Sequence, residues 1–242
     1  MTALVLVFDI KGEMALFRKP YTTTSMVSFP FPPPTAIAGI LGAIVGLENG
    51  ADEGGKSARY WHHLAGTQVT LAVRAPLRWI QTAVNLTNVK EPEKAPHIRV
   101  KQQLVKNPEY RVYVKGGELY GKLRERLEKR ESVYTLCLGV AYALADVEYV
   151  GEFPESRDEE EAPVRSVLPI YDGVEVDVLK TGSLHRETVP YRFTTERRLV
   201  ETVGVLYPDF QAKVPEGIYL RSKGEVETGL VGEERVAWFR AW

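Results

Sequence analysis

The 242-residue sequence has little of what disulfide-bonded, zinc-binding or membrane-spanning proteins require. Cys137 is the only cysteine, which excludes an internal disulfide and a zinc site built from several cysteines. The most apolar helix-like stretch, residues 36–47, would span about 18 Å, whereas a bilayer core is about 30 Å thick. Residues 1–9 have no basic leader and no small-residue cleavage site, so we expect a strand there and a cytoplasmic protein without membrane contact.

Signatures of metal and cofactor sites are equally scarce. The sequence has no H-E-x-x-H motif and no paired-cysteine spacing, so we expect neither a metal site nor a bound cofactor. One literal phosphate-loop match occurs at residues 50–57, GADEGGKS. The segment before it has a helical pattern, and Asp52 and Glu53 would put negative charge where phosphates should lie. We therefore favour a glycine-rich surface loop over a nucleotide site.

The formal net charge of −1 is distributed unevenly along the chain. Between Arg74 and Lys115, nine basic residues stand against three acidic ones, which is a local excess of +6. Residues 152–161 carry six acidic side chains against Arg157, a composition typical of a solvated loop or a domain boundary. The near-zero total therefore hides a polarised molecule.

A proline-rich segment, residues 28–34, precedes a helix that contains glycines. Thr35 is a good N-cap residue, so we predict a helix that begins at Ala36. A rotation of about 100° per residue sorts the side chains into a small half, which includes the three glycines, and a large half. The large half holds Ile37, Ile40, Leu41, Ile44, Val45 and Leu47. Each interior glycine costs roughly 1 kcal/mol, so we expect a backbone to approach the small half closely.

Alternating polarity predicts two strands around the turn at residues 107–109. Residues 98–104 and 110–115 would share a dry face and a basic, partly aromatic face. The Leu119, Leu123 and Leu127 stripe predicts a second helix. This element order predicts an α+β, ferredoxin-like domain over residues 1–152, with a hairpin insertion at about 77–108. Residues 153–242 would form a smaller β-rich region.

Four segments together resemble the Cas5 family of CRISPR-associated proteins, within the repeat-associated (RAMP) superfamily. They are residues 28–47, NPEYRVYV at 107–114, YTLCLG at 134–139 and VLP at 167–169. The resemblance implies an RNA-recognition-like domain with a protruding β-hairpin thumb. It also implies a subunit of a type I surveillance complex that caps the 5′ handle of the CRISPR RNA (crRNA). The implied partners are that handle, a backbone RAMP subunit, a large subunit and, through the assembled complex, target DNA.

The residues themselves offer a place for RNA. Single strands are held by basic tracks with aromatic faces, and a helix N-terminus suits a phosphate. The candidate RNA-binding residues are Arg18, Lys19, Tyr21, Ser28, Thr35, Arg78, Lys90, Lys94, Arg99, Lys101 and Arg111. We expect the proline-stiffened loop and the basic hairpin to meet in space and grip one strand. Two plainer interpretations remain: the loop is a rigid turn, and the hairpin cations only prevent edge pairing.

No residue is predicted to be catalytic. One branch of the family cleaves precursor RNA with a Tyr, Lys and His set, so a metal-independent endoribonuclease is the alternative function. His185, near Lys180 and Arg186 in sequence, is its best candidate acid or base. The family's Lys-His dipeptide is missing, however, so its cleaving pair has no counterpart in this sequence. A second basic-aromatic cluster, Tyr191–Phe193 with Arg197 and Arg198, is a further candidate surface for RNA or the large subunit.

Overall fold

The computed structural model describes residues 3–23, 25–50, 54, 57–89, 93–94, 96–156, 161–210 and 214–242. Three α-helices lie in these ranges: α1 (Pro34–Val45), α2 (Tyr120–Glu128) and α3 (Val178–Thr181), with a 3-10 helix at Arg59–Leu64. The strands are β1 (Leu4–Lys11), β2 (Met14–Ala15), β3 (Phe17–Arg18), β4 (Ser25–Phe29), β5 (Thr67–Val73), β6 (Arg78–Thr87), β7 (His97–Lys106), β8 (Glu109–Gly116), β9 (Asp146–Ser156), β10 (Leu168–Pro169), β11 (Val174–Val176), β12 (Leu184–Phe193), β13 (Leu199–Pro208), β14 (Leu220–Lys223), β15 (Thr228–Val231) and β16 (Glu234–Ala237).

The central element is a six-stranded sheet in the order β16-β15-β9-β1-β8-β5. Alternate residues of β1, such as Leu6 and Phe8, are fully buried in the main core with residues of α1 and α2. The predicted α+β class is therefore confirmed, with strands as the dominant element. The boundary predicted at residue 152 falls inside β9, and strands from both sides of it share this sheet.

The opposite face of β8 carries charged residues that form an internal ion-pair layer. Arg111 donates to Asp9 through Nε and Nη2, both at 2.8 Å. Lys115 Nζ donates to Glu155 Oε2 at 2.8 Å and to Glu227 Oε1 at 2.7 Å. Glu234 accepts hydrogen bonds from Arg74 and Tyr113. We call this set of residues the ion-pair layer; it consists of Asp9, Arg74, Arg111, Tyr113, Lys115, Glu155, Glu227 and Glu234.

The predicted pairing of residues 98–104 with 110–115 is wrong. Strand β8 lies between β1 and β5, whereas β7 pairs with β6 over its full length, from Arg78 opposite Lys106 to Thr87 opposite His97. The two residues between β7 and β8 carry the chain from one sheet into another instead of folding it back. Strand β8 fits the central sheet because one of its faces matches the core and the other meets the ion-pair layer.

Helix α1 begins earlier than predicted. Its N-cap is Pro33, whose carbonyl accepts from Ala36 N at 2.8 Å and from Ile37 N at 3.1 Å, and no side chain caps the helix. Thr35 is therefore not the N-cap, because Pro34 already supplies a suitable φ and has no N–H to satisfy at the first helical position. The proline segment before the helix is buried, so the rigid-turn interpretation describes it better than an exposed edge.

The small half of α1 is not closely approached at its centre. Ile37, Leu41 and Ile44 of the large half are in the core as predicted, but a Cβ at Gly39 would have no atom within 4 Å. At Gly46, by contrast, φ is +81° and an added Cβ would lie 2.9 Å from Val133. Only this last glycine is required by backbone conformation and space.

We predict opposite effects for alanine at these two glycines. Gly39→Ala should raise the free energy of unfolding by about 0.5–1 kcal/mol, because it removes backbone entropy from the unfolded chain without a clash. Gly46→Ala should lower it, because alanine is strained at positive φ and meets Val133. Urea denaturation followed by circular dichroism measures both; a destabilised Gly39→Ala variant would contradict the open face.

The ion-pair layer should make stability fall in acid. Burial alone would raise the pKa of Glu234, but hydrogen bonds from Tyr113 and Arg74 and the charge of Arg111 outweigh it and lower the pKa. A carboxyl with a lowered folded-state pKa contributes its full stabilisation above the unfolded value of about 4.3, and loses it as pH falls through the folded value.

Glu234→Gln should therefore destabilise the protein at pH 7 by about 2 kcal/mol and flatten the loss of stability between pH 5 and pH 3. Urea denaturation across this pH range tests the prediction. Glu13→Gln removes an exposed carboxylate outside the layer and is the matched control. Equal acid sensitivity of the Glu234→Gln variant and the wild type would show that Glu234 does not carry the effect.

Candidate nucleic-acid interface

Strands β6 and β7 form an antiparallel hairpin with one polar face. Successive side chains of a strand point to opposite faces, so Gln81, Ala83 and Asn85 share a face with their partners Gln103, Lys101 and Arg99. Strand β4 runs parallel to β7 and extends this face, with Ser25 beside Lys101 and Val27 beside Gln103. These residues, Asn85 excepted, line a groove of about 650 Å³, which we call the hairpin groove.

The cations of the hairpin groove differ from most other predicted cations. Arg99 and Lys101 are exposed, and no acidic side chain in the described ranges forms an ion pair with either of them. Arg111, which we predicted to bind RNA, is bound bidentately to Asp9 inside the ion-pair layer. Its charge is already neutralised, so we remove Arg111 from the candidate set.

The loop before β4 contributes less charge than its sequence indicates. Arg18 Nη2 donates to the carbonyls of Thr22 at 2.8 Å and Thr23 at 3.4 Å, within the loop itself. Lys19 is ion-paired with Glu187, and only 13% of its side chain is exposed, so it tethers the loop to β12. Tyr21 is 67% exposed and is the side chain of this loop most available to a ligand.

The remaining predicted residues are dispersed. Ser28 is buried, accepts from Phe17 N at 2.8 Å and donates to Phe29 O at 2.7 Å, so we also remove it from the set. Arg78 pairs with Lys106 and lies on the face of the hairpin opposite Arg99 and Lys101. Lys94 is exposed between β6 and β7, and Lys90 lies outside the described residues.

Trp79 was missed by the sequence analysis. It lies two residues before Gln81, so it is on the polar face at the base of the hairpin, and it is 38% exposed. An exposed indole on a cationic strand face is suited to stacking on a base. The same alternation that separates Arg99 from Ile98 would have identified Trp79, had it been extended to the partner strand.

The second basic-aromatic cluster does not form an exposed platform. Tyr191 is buried and donates to the carbonyl of Arg240, and Phe193 packs edge to face against Trp61. Arg197 donates to the carbonyls of Asn49 and Ser57, and so holds the ends of the glycine-rich loop. Most of the phosphate-loop match, residues 51–53 and 55–56, lies outside the described residues.

His185 is the one histidine found in a mixed polar cluster near the loop at residues 18–23. Its Nε2 lies 3.7 Å from Asp209 Oδ1, and its ring stacks on Tyr207 with centroids 5.3 Å apart. Burial raises the pKa of Tyr207, with the nearby carboxylates of Glu187 and Asp209 adding to the effect, so this phenol stays protonated. Tyr207 can therefore donate a hydrogen bond but is poorly suited to act as a base.

Two of the other histidines lie in the 3-10 helix. His62 and His63 are both exposed there. His63 Nδ1 is 2.6 Å from Glu118 Oε1. Across the described ranges, no group of three or more His, Cys, Asp or Glu side chains is arranged to hold a metal ion. No helix described by the structure is long and apolar enough to cross a bilayer.

Three comparisons with known proteins bear on this geometry. A family model described as CRISPR-associated protein (Cas_Cas5) matches residues 5–215. Comparison of the sequence with the curated proteins gives no match. A chain of a CRISPR RNA-guided surveillance complex is 14% identical, with 84% of this chain and 89% of that chain covered and a TM-score of 0.52.

The second similar structure is the crystal structure of a CRISPR protein from Archaeoglobus fulgidus. Its sequence is also 14% identical, the alignment covers 98% of this chain and 100% of that chain, and the TM-score is 0.57. At this identity the two solved structures show a shared fold. The family model, in contrast, is matched by most of the sequence. The chain belongs to the Cas5 family of CRISPR-associated proteins.

Proposed function

We propose that the protein is a non-catalytic RNA-binding subunit of a type I CRISPR surveillance complex. It holds the 5′ handle of the crRNA and nucleates assembly with the backbone and large subunits, and it meets target DNA through the assembled complex. The observation that carries the proposal is the hairpin groove, where Arg99 and Lys101 are exposed and have no acidic partner in the described ranges. A chain that neutralises Arg111 and Lys115 internally but leaves these two cations open provides a local site for a polyanion.

In this proposal the hairpin is the thumb that family membership implies, and the central sheet with α1 and α2 is the RNA-recognition-like domain. The loop at residues 18–23 leads directly into β4, and β4 lies beside β7. We infer that a strand bound in the hairpin groove can also reach Tyr21. A single strand would follow the groove, with phosphates toward Arg99 and Lys101 and a base toward Tyr21 or Trp79.

The proposal predicts a face-specific loss of RNA binding. Arg99→Ala/Lys101→Ala should weaken binding of RNA that carries the 5′ handle by at least about tenfold, because two charge-assisted contacts are lost. The slope of log affinity against log salt should become less steep by about 1.4, at about 0.7 per phosphate contact. Fluorescence anisotropy at several salt concentrations measures both quantities.

Arg78→Ala/Lys106→Ala is the matched control. It removes the same charge from a cross-strand pair of the same two strands, on the other face. We expect its affinity to stay within about twofold of wild type. If both double variants weaken binding equally, overall charge and not the hairpin groove determines affinity, and the assignment of the site is wrong.

A metal-independent endoribonuclease is the second candidate, because His185 lies beside Asp209 and Tyr207 close to the loop at residues 18–23. Two observations argue against a nuclease. The raised pKa of Tyr207 makes its phenol a poor base for abstracting a proton, and the ammonium group of Lys19 is already ion-paired with Glu187. We expect no site-specific cleavage of repeat RNA by the purified protein in EDTA. Cuts that disappear in His185→Gln would establish the nuclease instead.

A further inference from the structure

We propose that Gln81 and Gln103 form a base-reading pair in the hairpin groove, where their side-chain amides contact the edge of one nucleobase of a bound single strand. The inference rests on the proposed RNA-binding function and adds a source of sequence preference to it. Gln81 and Gln103 are direct cross-strand partners on the polar face of the hairpin, and both line the groove. Side chains at such positions start about 5 Å apart, close enough to contact the same ligand.

Gln102, next to Gln103 in the sequence, is an example of a side-chain amide whose hydrogen bonds stabilise the fold. Gln102 is 4% exposed, accepts from the Tyr142 hydroxyl at 2.9 Å and donates to Met26 Sδ at 3.4 Å. Gln103, the next residue, points to the other face. In the described part of the chain, neither its amide nor that of Gln81 forms a hydrogen bond with another residue. Their donors and acceptors are therefore open toward the groove.

The chemistry of the groove separates two kinds of contact. Phosphate oxygens only accept hydrogen bonds, and Arg99 and Lys101 serve them as charged donors. A base edge presents donors and acceptors side by side, which a primary amide can match with both of its groups. Val27 lies beside Gln103 and Ala83 beside Lys101, and both line the groove with small or apolar side chains. In this proposal the flat face of the base lies on these two side chains.

The ligand is therefore a base of single-stranded RNA, since base edges in an RNA duplex are paired or out of reach of such side chains. The groove of about 650 Å³ is within the usual range of small-molecule sites and admits a base with its sugar. A strand crossing the groove would place phosphates at the Arg99 end and one base at the Gln81–Gln103 end.

The test compares two RNAs on full-length protein. The probes are RNA that carries the 5′ handle from the CRISPR repeat of the source genome, and a scrambled RNA of the same composition. The Gln81→Met/Gln103→Met variant keeps the side-chain length but removes both amides. We expect the preference for handle RNA over scrambled RNA to fall about tenfold, with affinity for scrambled RNA and the salt slope unchanged. Val84→Ala, on the same strand but on the other face and not among the residues that line the groove, is the control and should keep the preference.

A second measurement does not depend on tolerance of the double substitution. Replacing handle nucleotides one at a time with abasic residues should reveal one position whose loss weakens wild-type binding about tenfold. The same replacement should have no effect on Gln103→Met alone. An unchanged preference in the double variant, or equal losses for both RNAs, would overturn base reading.

The experiments distinguish failure of the RNA-binding function from failure of base reading by Gln81 and Gln103. Wild-type protein that binds neither RNA would refute the RNA-binding function itself. Wild-type protein that binds both RNAs equally would refute base reading while leaving that function in place. A handle preference that survives Gln81→Met/Gln103→Met would also refute base reading by this pair.

Discussion

The neutralisation of the β8 cations by acidic side chains from distant parts of the chain is the constraint on which the rest of the structure depends. Arg111 and Lys115 lie on the side of the central sheet away from the helices, and Lys115 is 5% exposed. A charge at such a position costs several kcal/mol unless it is paired. Strand β8 can therefore occupy the sheet only with Asp9, Glu155, Glu227 and Glu234 beside its cations.

This requirement accounts for the part that the C-terminal residues play in the central sheet. Trp238 is buried on the same side, and Lys115 Nζ lies 4.2 Å from the centroid of its ring. The segment after residue 163 also closes both edges of the sheet: Arg165 N donates to Arg235 O, and Val167 N donates to Leu71 O, each at 2.8 Å. The aromatic cover, the contacts at both edges and every acidic residue of the ion-pair layer except Asp9 come from sequence that follows the predicted first domain.

The sequence predicted what depends on near neighbours and failed where a distant partner decides. The large face of α1 follows from periodicity, and the hairpin near residues 77–108 was predicted from the order of the elements; in the structure that face of α1 lies in the core and β6 pairs with β7. The pairing of β7 with β8 was wrong because alternation in each strand fits either sheet, and these deciding partners of β8 lie 40 or more residues away in the sequence. Ser28 and Arg111 were removed from the candidate set for the same reason: their residue types suggested groups available to RNA, whereas in the structure these groups bind other parts of the chain.

The candidate site emerges from this difference between paired and unpaired groups. Lys19, Arg111 and Lys115 have acidic partners, whereas Arg99 and Lys101 have none in the described ranges. Gln102 and Gln103 differ in the same way, although they are identical and adjacent. Folding supplies partners wherever a side chain faces another part of the chain, so a polar face without such partners is energetically neutral in water and favourable only when a ligand provides them. The groove face of the hairpin joins such cations to amides that are unpartnered in the described part of the chain, which is the property that the proposed RNA-binding function requires of it.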